Sequence, residues 1–231
     1  MHAQISPDEK NIAYVFNNNL FIYNIKNKIS KQITFDGEKN KIINGASDWV
    51  YEEEFKLVRG FQWSNDGKNL AYYKFDETHV KEFSMDIYDN KLYPSQQKFK
   101  YPKAGEKNST VKIYYYNLDK EVHNFIYTEK DYEYIPRIKW TNTPNLLVLY
   151  GLNRKQNELD FILANVNNNT NRIIFTEIDK YYIDIHDNLT FLPNNNFIWT
   201  SEKSGFNHIY IKDFEGDEIQ VTKGNWEVTE F

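Results

Sequence analysis

Short apolar runs alternate with polar turns along the chain, and the alternation repeats. Ser6-Pro7-Asp8-Glu9-Lys10-Asn11-Ile12-Ala13-Tyr14 returns as Ser64-Asn65-Asp66-Gly67-Lys68-Asn69-Leu70-Ala71-Tyr72, preceded by Phe61-Gln62-Trp63. A worn copy runs from Trp140 to Tyr150, and a fourth from Phe191 to Thr200 around Asn194-Asn195-Asn196. Each copy predicts strand, tight turn, strand: the aromatic anchors the first strand, and Asp-Gly or Asn-Asn supplies the turn. A second hairpin pattern follows each copy. Leu20 to Ile25 leads to Lys31-Gln32-Ile33-Thr34, and His208 to Asp213 leads to Ile219-Gln220-Val221-Thr222, with Val111 to Leu118 and Asp160 to Val166 between them. Two hairpins per unit make a four-stranded antiparallel sheet, and about four such units in series predict an all-β chain of β-propeller blades. The expected blades cover residues 5–34, 61–128, 137–176 and 188–223, with 35–60 as an insertion.

Blades stack through apolar faces, so Trp63, Trp140 and Trp199 are expected in the core rather than in a ligand box. The Asn clusters at 17–19, 167–169 and 194–196 read as turn chemistry, because Asn tolerates left-handed backbone. Asn108-Ser109-Thr110 and Asn188-Leu189-Thr190 match the glycosylation sequon, a motif common by chance that carries no weight here.

Composition narrows the function. Tyr (18), Phe (16) and Trp (5) make 17% of the residues aromatic, while Gly (9) and Pro (6) are sparse, which favours strands over a helical bundle. Lys plus Arg is 28 against 33 Asp plus Glu, a formal net charge of -5 with no basic stripe, so nucleic acid is not an expected partner. The absence of Cys excludes a disulfide framework, a thiolate zinc site and a cysteine nucleophile. Leu146 to Leu152 is the longest apolar stretch, far short of the roughly twenty residues of a spanning helix, so no transmembrane segment is expected. Met1 leads straight into a strand-like segment without a signal-peptide pattern, which leaves two readings: a cytoplasmic protein, or a chain lacking its true N-terminus.

Two stretches break the rhythm, from about Phe35 to Gly60 and from about Asp76 to Thr110. Insertions in repeat proteins map to one face, often the binding face. The first holds Asp48-Trp49-Val50-Tyr51-Glu52-Glu53-Glu54-Phe55. Its three acids have two readings. One is a solvated acidic helix turn. The other is a cation site, in which Trp49, Val50, Tyr51 and Phe55 surround the carboxylates with apolar mass and a positive ligand offsets their repulsion; an ammonium group fits. Adjacent Glu residues rarely reach the separation of about 5 to 9.5 Å that glycoside hydrolysis needs. Gly45-Ala46-Ser47-Asp48-Trp49 begins like a nucleophile elbow but has Trp at its fifth position. The histidines His2, His79, His123, His186 and His208 show no metal-ligand spacing, and Asp86 with Asp89 lacks a calcium-loop pattern, so neither metal nor cofactor is expected.

These residues carry a resemblance. Asn44-Gly45, Asp48 to Phe55 and Trp63-Ser64-x-Asp66-Gly67-Lys68-x-Leu70-Ala71-Tyr72 closely resemble the N-terminal propeller of the dipeptidyl peptidase IV family of serine exopeptidases. Phe75-Asp76-Glu77-Thr78-x-Val80, Tyr101-Pro102-Lys103-Ala104-Gly105-x-x-Asn108 and Thr222-Lys223-Gly224-Asn225-Trp226-Glu227-Val228 agree, in order, along nearly the whole chain. The resemblance implies a partial propeller of an eight-bladed ring covering an α/β-hydrolase domain, with a short helical insertion. It implies that Glu53 and Glu54 hold the free N-terminal ammonium of a peptide substrate, with Glu52 as the adjacent structural acid and Trp49 and Tyr51 in support. Such a clamp at a fixed distance from a nucleophile would release dipeptides ending in Pro or Ala.

The departures matter equally. There is no Gly-x-Ser-x-Gly elbow; the family's catalytic Ser, Asp and His belong to a C-terminal domain, so this chain alone is expected to be inactive. The family also sets an Arg beside the Glu pair, yet none of Arg59, Arg137, Arg154 and Arg172 lies in the matching segment. Ser109 stands where the family pattern often has Pro. Four blades of eight leave open edges, so the chain is expected to be a fragment or truncated product that aggregates when expressed alone. The resemblance further implies a homodimer of the complete protein and a periplasmic, cell-surface or secreted location. The alternative reading is a non-catalytic propeller serving as a protein-binding platform, since fold does not fix function.

Overall fold

The repeated polar turns share one construction. In the computed structural model, which describes residues 1–231, Ser6 Oγ donates to Asp8 Oδ1 at 2.6 Å and accepts from Asn11 N–H at 3.0 Å. Asp8 Oδ1 also accepts Lys10 N–H at 3.2 Å. Ser64, Asp66, Lys68 and Asn69 repeat all three bonds at 2.6, 3.1 and 2.9 Å. The side chains satisfy turn N–H groups that the ladder leaves open, which is why this pattern recurs between strands.

Four antiparallel sheets follow in sequence order. The first joins β1 (Gln4–Ile5), β2 (Asn11–Phe16), β3 (Asn19–Asn24) and β4 (Ile29–Gln32) as a meander. Only Asn17 and Asn18 link β2 to β3, with φ of 47° and 59°. Positive φ at both central residues is the turn that matches strand twist, and Asn adopts it readily.

The second sheet is less regular. Its strands are β5 (Ile42–Asn44), β6 (Phe61–Trp63), β7 (Asn69–Asp76), β10 (Thr110–Asn117) and β11 (Val122–Phe125), with helix α1 (Trp49–Phe55) between β5 and β6. Between β7 and β10 a separate hairpin pairs β8 (Glu82–Ile87) with β9 (Ser95–Lys100). Strands β5 and β6 lie end to end along β7: Ile42 to Asn44 pair with Asp76 to Lys74, and Phe61 to Trp63 with Tyr72 to Leu70. The segment read as an insertion therefore supplies part of the sheet, and α1 belongs to an excursion from one split strand. An Ala46–Arg59 bridge closes its neck, with Gly60 N–H bonded to Gly45 C=O at 3.0 Å. Gly45 has φ +76°, and a Cβ there would lie 2.6 Å from Leu20; glycine alone suits both conditions.

The third sheet orders β12 (Ile138–Trp140), β13 (Leu146–Leu152), β14 (Glu158–Asn165) and β15 (Thr170–Ile178); the fourth orders β16 (Thr190–Phe191), β17 (Phe197–Ser201), β18 (His208–Lys212) and β19 (Glu218–Gln220). The chain divides into two compact units, Met1–Phe125 and Ile126–Phe231. In the first, Trp63 Nε1 donates to Gln4 C=O at 3.2 Å, tying the second sheet to the first. In the second, Phe161 packs on Trp199 and Phe197 with ring centroids 4.8 and 6.4 Å apart. Trp63, Trp140 and Trp199 are all buried, as the repeat predicts. No helix is long and apolar enough to cross a membrane.

Candidate functional site

Asp48 ends the neck of the excursion and begins the helix. Its backbone is extended (φ −81°, ψ 179°), and Oδ1 accepts the Tyr51 N–H at 2.9 Å. That is an N-cap, satisfying one of the donors a helix leaves open. The second carboxylate oxygen accepts the Ser109 hydroxyl. At the other end Lys56 turns left-handed (φ 54°), and its N–H closes on Tyr51 C=O. A helix this short does not persist in isolation, so packing must hold it.

One face supplies that packing. Val50, Tyr51 and Phe55 are buried, and the Tyr51 ring lies 4.7 Å from Phe75 and 5.2 Å from Phe55. Half-buried Trp49 meets Tyr101 edge-on at 4.3 Å. The Tyr101-to-Ser109 segment, singled out in the sequence, is thus fastened to the helix at two points: Tyr101 on Trp49 and Ser109 on Asp48.

Glu52, Glu53 and Glu54 take the opposite face. Residues advance about 100° each around a helix, so burying Tyr51 and Phe55 turns the three between them outward. All three are exposed, and none makes an ion pair or side-chain hydrogen bond. The apolar side chains support the helix from beneath rather than encircling the carboxylates. No basic residue stands in the last turn, so Glu53 and Glu54 lie near the negative end of the helix dipole without an internal counter-charge. Glu52 is differently situated. It lies near enough to His2 to favour the imidazolium, although burial and the chain's amino terminus hold that imidazole below its ordinary value.

Behind the cap lies a second acid. Glu77 follows β7, is buried, and is pushed up to about 7, first by burial and next by nearby Asp48; Lys100 opposes the shift. Burial also pushes the Asp48 carboxyl up, while the Ser109 hydroxyl and the Tyr51 N–H pull it back. Asp48, Ser109 and Glu77 are not marked as site residues by the sequence alone. Asp immediately before a helix was a legible cap signal; the bond to Ser109 joins positions far apart in sequence and was not.

The remaining candidates form no centre. His79 Nε2 meets Asn108 C=O at 2.8 Å, and no group of three or more His, Asp or Glu side chains is placed to hold a metal ion. In the second unit a cavity of about 210 Å³ is lined by Glu177, Tyr182, His186 and Ser201, among others. Its half-buried carboxylate is already engaged, since Glu177 accepts from Ser201 Oγ and Trp199 Nε1.

Comparison with known proteins shows the family. The family described as "Dipeptidyl peptidase IV (DPP IV) N-terminal region" matches residues 1–231. The chain belongs to that family. A dipeptidyl peptidase 4 of Trichophyton rubrum is 35% identical over 98% of this chain and 31% of its own length. A probable dipeptidyl-aminopeptidase B of Uncinocarpus reesii is 31% identical over 99% of this chain and 28% of its own length. Among solved structures, dipeptidyl peptidase 4 of Porphyromonas gingivalis is 38% identical with a TM-score of 0.94, over all of this chain and 33% of that one. The chain therefore spans about a third or less of the relatives it matches.

Proposed function

We propose that this chain is the substrate-selecting part of a dipeptidyl peptidase IV-type serine exopeptidase, whose nucleophile resides in an α/β-hydrolase domain of the same polypeptide. Its four sheets are consecutive blades of a β-propeller. The sequence-ordered meanders, the buried aromatic at the repeated position and the close likeness to a solved dipeptidyl peptidase 4 support that architecture. Glu53 and Glu54 hold the free amino terminus of a peptide.

One observation carries the site assignment: two exposed, unpaired carboxylates stand side by side on a helix whose other face and cap are buried. Neighbouring like charges without a counter-ion favour a bound cation, and a rigid mount fixes where that cation stands. A peptide ammonium held at a set distance from the nucleophile leaves room for two residues before the scissile bond, and holding it there lowers the entropic part of the barrier. For the homodimer of the complete protein we assign the β8–β9 hairpin, whose connecting Leu92 and Tyr93 are 85% and 80% exposed.

The test uses the complete polypeptide and an Xaa-Pro substrate. Glu53→Gln or Glu54→Gln, or acetylation of the substrate amine, should each lower kcat/KM by at least about thirtyfold, the lower end of the cost of truncating one member of a desolvated charge pair. Unchanged turnover in both variants removes the assignment. A protein-binding platform would be indifferent to all three changes.

A further inference from the structure

We propose that Ser109 is a positioning residue for the amine-binding helix: its hydroxyl holds Asp48 as the cap of α1 and thereby fixes where Glu53 and Glu54 stand. The inference rests on the reading of Glu53 and Glu54 given above and adds a residue from a distant segment to it.

The geometry is a chain of fixed links. Ser109 is 5% exposed and immediately precedes β10, which pairs with β7 over its whole length from Thr110↔Asp76 to Asn117↔Asn69. The hydroxyl is therefore carried by the most extensively paired part of the second sheet. It donates to Asp48 Oδ2, while Asp48 Oδ1 accepts the Tyr51 N–H at 2.9 Å. Asp48 is 6% exposed, so water does not readily replace the hydroxyl, and a buried acceptor left unmade is costly. The neck at Ala46–Arg59 holds the helix from one side. The Ser109 bond holds it from the other, across the sheet.

The surrounding charges give this bond a further task. Glu77 faces Asp48 from the end of β7, with Asp76 adding to the negative potential and Lys100 opposing it. Burial drives Asp48 toward taking a proton, and a protonated Asp48 is a weaker acceptor for the helix N–H. The donor on Ser109 favours the ionised cap. Without it, the cap should fail first in acid.

The experiment uses the complete protein with Ser109→Ala, Ser109→Thr, Glu53→Gln and Glu54→Gln. Ser109→Ala should raise KM for a free-amine Xaa-Pro substrate about three- to tenfold, the equivalent of one hydrogen bond, with kcat retained within about twofold. Amide exchange over residues 48–57 should accelerate by a similar factor, and the KM defect should deepen as the solution is acidified. Ser109→Thr, which keeps the hydroxyl, should restore all three. Unchanged KM in Ser109→Ala overturns the proposal, whether or not exchange accelerates, provided Glu54→Gln still raises KM. If neither Glu variant raises KM, the amine-binding reading itself fails and takes the role of Ser109 with it; accelerated exchange would then report the cap bond alone.

Discussion

In the third sheet strand follows strand through residues 141–145, 153–157 and 166–169, and both central strands, β13 and β14, are buried along nearly their whole length. The second sheet pairs its strands as regularly but lets the chain leave twice, through 45–60 and 77–109, and most of its excursion residues face water. In the uninterrupted sheet the apolar side chains contribute stability and little else. In the interrupted one the same pairing serves as a mount, and the proposed amine-binding acids sit on what departs from it. The acids illustrate the contrast. Asp160 in β14 is 1% exposed and fully engaged, by Lys130 at 2.7 Å and Tyr132 at 2.8 Å, whereas Glu53 and Glu54 are exposed and uncompensated.

The largest expected effect lies in the regular sheet. Phe161→Ala removes a side chain with no exposed surface and should cost about 3 to 5 kcal/mol of stability by chemical denaturation, while KM of the folded enzyme stays as it was. A changed KM would break the division of labour. A smaller effect belongs to Glu77 and has a defined pH course. Its pKa rises from 4.5 to about 7 on folding, so the folded state binds the proton more tightly. The associated stability is present below 4.5 and is lost as pH rises toward 7. Glu77→Gln should match the parent near pH 4 and exceed it at pH 8 by about 1 to 3 kcal/mol; equal unfolding midpoints at pH 8 would refute the burial of a titrating acid there. The smallest effect on stability belongs to the hairpin. Leu92→Asp with Tyr93→Asp should leave unfolding within about 0.5 kcal/mol of the parent yet, on the proposed hairpin-mediated dimer, shift the complete protein toward monomer in light scattering. A persistent dimer would free the hairpin from that role.

The hairpins were legible because their turns announce themselves: Ser-x-Asp brackets two of them, and Asn17-Asn18 fits only one kind of reversal. The aromatic at each repeat could be placed in the core for the same reason, since burial alone explains it. Strand β5 was hidden because Ile42-Ile43-Asn44 is three residues long in a polar setting, and its pairing with β7 is decided by the sheet rather than by the segment. The helix motif was recognisable as a string of residues, but the outward aim of its acids follows from the four-residue spacing of Tyr51 and Phe55, a periodicity too brief to stand out. Ser109 looked like a mild departure in a loop. Its significance depends on a contact with Asp48 that no local pattern encodes.

The closed neck at Ala46–Arg59 has one more consequence. Because β5 and β6 continue along the same partner, a tight turn in place of residues 47–58 would leave every ladder pair of β7 intact while uncovering Phe75, on which Tyr51 packs. Helix and ladder are thus separate in their backbone bonding and joined only through side chains, Tyr51 on Phe75, Trp49 on Tyr101 and Asp48 on Ser109.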